Sequence, residues 1–133
     1  MDNIEIDMGK TKKFYKNYKD FCNCLYCKFY RENIKKYYPK LSDFLSEFAI
    51  DVSKPYELSI PFLDEDLIYP FAQYLAIGKV SDKFSKNIGN LSFSIAKSYP
   101  DVDISSPYFV LEVGDIEFKE SIISEEMLSD LSL

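Results

Sequence analysis

The amino-acid sequence predicts an α+β fold: a mostly antiparallel sheet of four to five strands with two N-terminal helices packed on one face. Two adjacent segments before residue 50 place apolar side chains at helical spacing, and the segments after residue 55 place them at every second position. Helices and strands do not alternate along the chain, which argues against βαβ units. At 133 residues, the chain is expected to form a single domain, 1–133.

Residues 1–20 are predicted to contain two short strands and a basic loop. Apolar and acidic side chains alternate over 2–8, which indicates a strand. A turn is expected at 9–13, where a glycine is followed by polar residues. Aromatic residues at 14–18 predict a second short strand, which leads into a cysteine-rich segment.

Two helices are predicted within residues 21–49. The first begins near Leu25, where apolar and aromatic residues follow at spacings of three and four: Cys27, Tyr30, Ile34 and Tyr37. Pro39 ends this helix and starts the next, because the residue before a proline resists helical angles whereas proline itself suits a first helical turn. The second helix is expected over 40–48, and it should bury one apolar stripe: Leu41, Phe44, Leu45 and Phe48.

Residues 56–118 are predicted to form the antiparallel sheet. Its strands are expected at 56–62, 67–77, 91–97 and 108–118. Pro61 places the first of these at an edge, because proline has no backbone N–H to donate. A polar loop is expected at 79–90, and Gly114 indicates a bulge within the last strand. Residues 119–133 form an acidic tail, either helical or frayed.

Missing residue types exclude much of enzyme chemistry. The chain has no histidine, which rules out Ser-His-Asp and Cys-His catalytic sites. With only four glycines it lacks a glycine-rich phosphate loop, and its single arginine, Arg31, makes a phosphate clamp unfavourable. Pairs of carboxylates fall in predicted loops and in the tail, where such groups are usually solvated. The sequence therefore predicts a protein that is not an enzyme.

Charge is distributed unevenly along the chain. Residues 1–40 carry ten Lys or Arg against five Asp or Glu, whereas residues 101–133 carry nine acidic residues against Lys119 alone. An acidic surface of this kind steers a basic protein partner, although the two oppositely charged parts could instead attract each other within the domain. The predicted partner-binding residues are acids that follow residue 40: Asp64, Glu65, Asp66, Asp101, Asp103, Glu112 and Asp115.

Nucleic acid and membrane are both disfavoured as partners. Lysines alternate with aromatic residues over 10–19, a pattern that suits single-stranded nucleic acid, but the net charge of −6 opposes binding. No run of about 18 apolar residues is present to cross a membrane. The N-terminus lacks the basic and apolar regions of a signal peptide, and three cysteines cannot all pair internally, so a cytoplasmic location is expected.

The cysteines Cys22, Cys24 and Cys27 allow three interpretations. We expect them to be reduced and metal-free, with one or two thiols packed as small apolar groups at a helix start. A zinc site is the second interpretation, because Cys24 and Cys27 have C-x-x-C spacing, Cys22 adds a thiolate and Asp20 offers an oxygen. The third is a redox site, in which the helix start would stabilise the Cys24 thiolate.

Three segments together carry a resemblance to known proteins. They are Cys22-Asn23-Cys24-Leu25-Tyr26-Cys27 with Phe29, then Tyr38-Pro39-Lys40-Leu41 with Phe44-Leu45, then Ile50-Asp51-Val52-Ser53-Lys54-Pro55-Tyr56-Glu57. Over roughly residues 14–118 the chain resembles small uncharacterised proteins of low-GC Gram-positive bacteria, which share a C-x-C-x-x-C-F-like start, a Y-P-x-L-x-x-F-L helix and an I-D-x-x-K-P-x-E segment. The resemblance implies an immunity protein encoded beside a polymorphic toxin.

These observations lead to one main hypothesis and two alternatives. The main hypothesis is a non-catalytic cytosolic binding protein, an immunity protein whose acidic surface neutralises a basic, nuclease-type toxin domain. The first alternative is a small metal- or thiol-binding protein centred on Cys22, Cys24 and Cys27. The second is a structural or regulatory subunit without a ligand.

Overall fold

A computed structural model describes residues 4–19, 22–81 and 83–131. The α+β class is confirmed, and all strand pairs of the described residues are antiparallel. The helices are α1 (Met8–Asn17), α2 (Leu25–Tyr37), α3 (Pro39–Ser46) and α4 (Glu125–Leu131), with a 3-10 turn at Glu120–Ile122. The strands are β1 (Ile4–Ile6), β2 (Glu57–Leu58), β3 (Phe62–Asp64), β4 (Asp66–Tyr69), β5 (Ala72–Val80), β6 (Ser85–Ile88), β7 (Leu91–Ile95), β8 (Tyr108–Gly114) and β9 (Ile116–Phe118).

The strands form a large sheet and a small one. The large sheet has the order β1-β5-β8-β7-β6, and β2 pairs with the opposite end of β5 on the same edge as β1. The small sheet has the order β3-β4-β9. Two predicted strands each supply both sheets: 67–77 divides into β4 and β5, and 108–118 divides into β8 and β9.

The two crossings between the sheets lie against each other. A Cβ atom on Gly114 would stand 2.2 Å from the carbonyl oxygen of Pro70, so glycine is required where β8 passes close to the β4–β5 crossing. Where a bulge was predicted at Gly114, the chain therefore leaves the large sheet and enters the small one. The predicted strand 56–62 is likewise wrong in its extent, because pairing stops after Leu58 and resumes at Phe62, beyond the donor-less Pro61.

The prediction of a turn and a strand over residues 9–18 is wrong, because residues 9–17 belong to helix α1 and Tyr18 is its C-cap. Asp7 caps the helix, its carboxylate accepting a hydrogen bond of 2.9 Å from the backbone N–H of Lys10. Thr11 and Tyr15, one helical turn apart, are the buried residues of α1. The predicted loop at 79–90 is also mostly wrong: β5 continues to Val80, and β6 forms a hairpin with β7.

Helix α1 supplies hydrogen-bond partners to one edge of β5. Between the segments paired with β1 and β2, this edge has no neighbouring strand among the described residues. The Thr11 hydroxyl accepts from the N–H of Ile77 at 3.1 Å and lies 3.3 Å from the Ile77 carbonyl oxygen. The Tyr15 hydroxyl donates to the carbonyl of Leu75 at 2.5 Å. Two side chains thus take the place of a strand partner.

Helices α2 and α3 lie over the core, as predicted. Leu41 and Leu45 are fully buried within a cluster that includes Phe93 and Leu111 of the large sheet. Phe44 and Phe48 also contact this cluster but remain partly exposed. The predicted stripe on 40–48 therefore faces the core, as expected, and its most deeply buried residues are the two leucines.

Buried tyrosines connect α2 to β5. The Tyr74 hydroxyl donates to the carbonyl of Val52 at 2.7 Å and lies 2.6 Å from the Tyr30 hydroxyl. Because Tyr74 has one hydroxyl proton and donates it to Val52, Tyr30 must donate to Tyr74. Burial raises the pKa of both Tyr30 and Tyr74 above the ordinary tyrosine value of 10.0, because the ionised forms would lose their hydration.

We expect the free energy of unfolding to fall as the pH rises above about 10. The unfolded chain releases tyrosine protons near its ordinary pKa, whereas Tyr30 and Tyr74 hold theirs to higher pH in the folded protein. Their contribution is therefore complete below about pH 10 and is lost above it. Urea unfolding across this range measures the loss, and Tyr30→Phe should make it smaller; equal alkaline loss in both proteins would contradict the assignment.

Candidate functional site

The three cysteines lie together at the beginning of α2. Cys24 is the N-cap residue, Cys27 lies in the first turn, and the three Sγ atoms of Cys22, Cys24 and Cys27 are all within 4.8 Å of one another. Cys22 and Cys24 are exposed and Cys27 is half-buried, so of the one or two thiols expected to be buried at the helix start only Cys27 is covered, and only in part. Asp20, the predicted fourth ligand, lies outside the described residues.

Hydrogen bonding shifts the pKa values of Cys24 and Cys27 in opposite directions. Burial by itself would raise the pKa of Cys24, but hydrogen bonds from the N–H of Cys27, the Cys22 and Cys27 thiols and the N–H of Tyr26 lower it overall. Burial and the hydrogen bonds to its two neighbours raise the pKa of Cys27 to about 12. The Cys24 thiol therefore ionises more readily than that of Cys27, and hydrogen bonds from its neighbours stabilise its thiolate.

Arg31 holds the segment before α2 in place. Its Nη1 donates to the backbone carbonyl of Cys22 at 2.6 Å, and its Nη2 donates to Oδ1 of Asn23 at 3.1 Å. Sequence reasoning noted Arg31 as the single arginine but did not connect it with the cysteines. Its position one helical turn after Cys27 was the available signal, since residues four apart share a helix face.

A small hollow adjoins the cysteines. It has a volume of about 90 Å³ and is lined by Cys22, Cys27 and Arg31 on one side and by residues 55–58 on the other. Glu57 of β2 is one of these lining residues, and its Oε1 accepts a hydrogen bond of 3.2 Å from the N–H of Leu58. The hollow therefore brings sulfur and oxygen donors to the same edge of the fold.

The predicted partner-binding acids fall into separate regions. Asp64, Glu65 and Asp66 occupy the β3–β4 hairpin, with Asp64 paired to Asp66 across the turn. Asp115 joins β8 to β9 next to Ile116, which pairs with Tyr69 at the other end of β4, so it lies away from the hairpin turn.

Of the three remaining acids, one lies on the large sheet and two lie in the loop that precedes β8. Glu112 of β8 pairs with Gln73 of β5, and its Oε1 accepts a hydrogen bond of 2.9 Å from Nε2 of that glutamine. Asp101 and Asp103 are exposed in the loop before β8, and the backbone carbonyl of Asp101 accepts a hydrogen bond from the Tyr56 hydroxyl. The seven predicted acids therefore do not form one continuous surface.

The outer face of the small sheet combines acidic and apolar side chains. Strand register places five side chains on this face, opposite the buried Leu67: Phe62, Asp64, Asp66, Ile68 and Glu117. Phe62 is 48% exposed, and the neighbouring Ile60 is 81% exposed. Sequence reasoning assigned Ile60 and Phe62 to an alternating strand and did not select Ile68 or Glu117, because alternation alone does not say which face meets solvent.

Comparison with protein-family models, curated proteins and solved structures finds no match to this chain. The resemblance noted in the cysteine, helix and I-D-x-x-K-P-x-E segments therefore stays a prediction. Among residues 4–19, 22–81 and 83–131, no helix is both long enough and apolar enough to cross a membrane.

Proposed function

We propose that this chain is a non-catalytic binding protein that captures a basic protein partner through the outer face of the small sheet. The observation that carries the proposal is the exposed pair Ile60 and Phe62 beside three acidic residues that share or border one sheet face, Asp64, Asp66 and Glu117. An apolar centre with a charged rim is the usual composition of a protein interface. Immunity against a toxin encoded by a neighbouring gene is the form of this function that we expect in the cytoplasm.

Each part of this face has its own role in the proposed complex. The acids attract a basic domain over distances of about 8–10 Å at moderate salt, which raises the rate of association. Phe62 then inserts into the partner and slows dissociation, because buried aromatic anchors supply most of the binding energy of an interface. A nuclease-type toxin fits this surface, since its phosphate-binding cleft is basic.

Co-expression with the toxin domain encoded beside this gene tests the proposal. We expect the full-length chain to restore growth and to co-purify with the toxin. Phe62→Ala should raise the dissociation constant by about tenfold or more, mainly through the off-rate. Met8→Ala is the matched control, because Met8 is 47% exposed on α1 and lies outside the proposed face.

Charge variants separate steering from anchoring. Replacing Asp64 and Glu117 by Asn and Gln should lower the on-rate at low salt and leave the off-rate within about twofold. The same loss of two charges at Asp101 and Asp103 should change the on-rate less, because these acids lie in the loop before β8. A neighbour that neither binds nor is neutralised would contradict the immunity function, and binding that is unchanged in Phe62→Ala would contradict the assigned face.

A further inference from the structure

The thiols of Cys22, Cys24 and Cys27 already have nearly the spacing of metal ligands. Tetrahedral zinc holds sulfur at about 2.3 Å, which places two bound thiolates about 3.8 Å apart. The three Sγ atoms lie within 4.8 Å of one another. Closing them around one ion therefore requires a change of only about 1 Å in any sulfur–sulfur distance.

The backbone around these thiols is held by groups that do not donate to a metal. The N–H of Cys24 lies 3.3 Å from Sγ of Cys22, and Arg31 fixes the Cys22 carbonyl and the Asn23 side chain from the next turn of α2. Hydrogen bonds of this kind orient ligands before the metal arrives and reduce the cost of binding. The Arg31 guanidinium also offsets negative charge on a three-thiolate site, as does the N-terminal end of the helix.

We propose that Cys22, Cys24 and Cys27 bind one Zn²⁺ ion, with its fourth position facing the hollow that Glu57 lines. An all-sulfur donor set selects zinc over magnesium or calcium, which prefer oxygen ligands. The hollow of about 90 Å³ gives space for a water molecule at the fourth position. The site is independent of the partner-binding face on the small sheet, and failure of either proposal leaves the other standing.

Bound zinc would add a link between the segment before α2 and the first turn of that helix. Cys22 belongs to the segment between α1 and α2, whereas Cys24 and Cys27 belong to the start of α2. One ion held by all three would tie the residue just before the N-cap region to the first turn of α2. Removal of the metal should therefore lower the melting temperature of the full chain, because binding free energy contributes to folding.

The test uses the full-length chain purified under reducing conditions without chelator. We expect about one zinc per chain, and Co²⁺ substituted for it should give the absorption bands of a thiolate-bound ion. Each of Cys22→Ser, Cys24→Ser and Cys27→Ser should weaken zinc binding by more than about 100-fold, since loss of even an outer partner costs 10–100-fold. Competition with a chromophoric chelator measures the affinities.

A matched pair of charge variants tests the role of Arg31. Arg31→Gln and Lys28→Gln each remove one positive charge from α2, but only Arg31 contacts the Cys22–Asn23 segment. We expect Arg31→Gln to lower zinc affinity by about 10–100-fold and Lys28→Gln to leave it within about twofold. If a cysteine variant fails to fold, the wild-type chain can be alkylated with and without added zinc. Protection of its thiols by the zinc would then show that they bind the ion. Substoichiometric zinc after loading, or zinc affinity unchanged in the cysteine variants, would overturn the proposal.

Discussion

Replacing Leu45 by alanine should lower the free energy of unfolding by about 2–5 kcal/mol. Leu45 is 0% exposed and lies on α3 within the core cluster, so truncation leaves a cavity that the surrounding side chains cannot fill completely. Urea unfolding followed by circular dichroism measures the loss. A midpoint that falls without a change in slope would indicate that stability alone has changed.

Leu58→Ala is the matched control for this prediction. It removes the same atoms from a half-buried leucine on the short strand β2, and we expect it to cost less than half as much as Leu45→Ala. Equal losses at both positions would show that α3 does not cover the core as described. A loss below about 1 kcal/mol at Leu45 would do the same, since surface substitutions cost about that or less.

The second large effect is expected at Tyr74. Tyr74→Phe removes the hydroxyl that donates to the carbonyl of Val52 and accepts from Tyr30, which leaves two buried polar groups without these partners. At about 1–3 kcal/mol for each such group, we expect a loss of about 2–4 kcal/mol. Thermal or urea unfolding of Tyr74→Phe beside the wild type measures this loss.

Tyr30→Phe should cost less, about 1 kcal/mol, because Tyr74 keeps its hydrogen bond to Val52 when Tyr30 loses its hydroxyl. The double variant should then be less destabilised than the sum of the two single variants, since the two tyrosines share one interaction. A larger loss in Tyr30→Phe than in Tyr74→Phe would reverse the assigned direction of the hydrogen bonds.

Local patterns predicted α2 and α3 but not α1. The two predicted helices, α2 and α3, have apolar stripes, and Pro39 marks the junction between them. Helix α1 turns Thr11 and Tyr15 towards β5, so its buried face includes hydroxyl groups that an apolar periodicity does not register. The capping carboxylate of Asp7 was the signal that sequence reasoning passed over.

Tertiary contacts decided the features that the sequence did not predict. Strands β4 and β5 are both largely apolar, and the chain is seen to change sheet between them only from their pairing, β4 with β9 and β5 with β8. The cysteine cluster was predictable because its spacing is local to one helix start. The outer face of the small sheet was not, because it depends on the pairing of Ile68 with Glu117, which is distant along the chain.

The covered edge of β5 also affects how copies of this protein behave towards each other. An edge with open N–H and C=O groups is a template on which a second chain can add a strand, and such additions lead to aggregation. Thr11 and Tyr15 occupy those groups at Ile77 and Leu75. Helix α1 therefore covers the part of this edge where a second chain could add a strand, and we expect local opening of that helix alone to leave an otherwise folded chain prone to form insoluble assemblies.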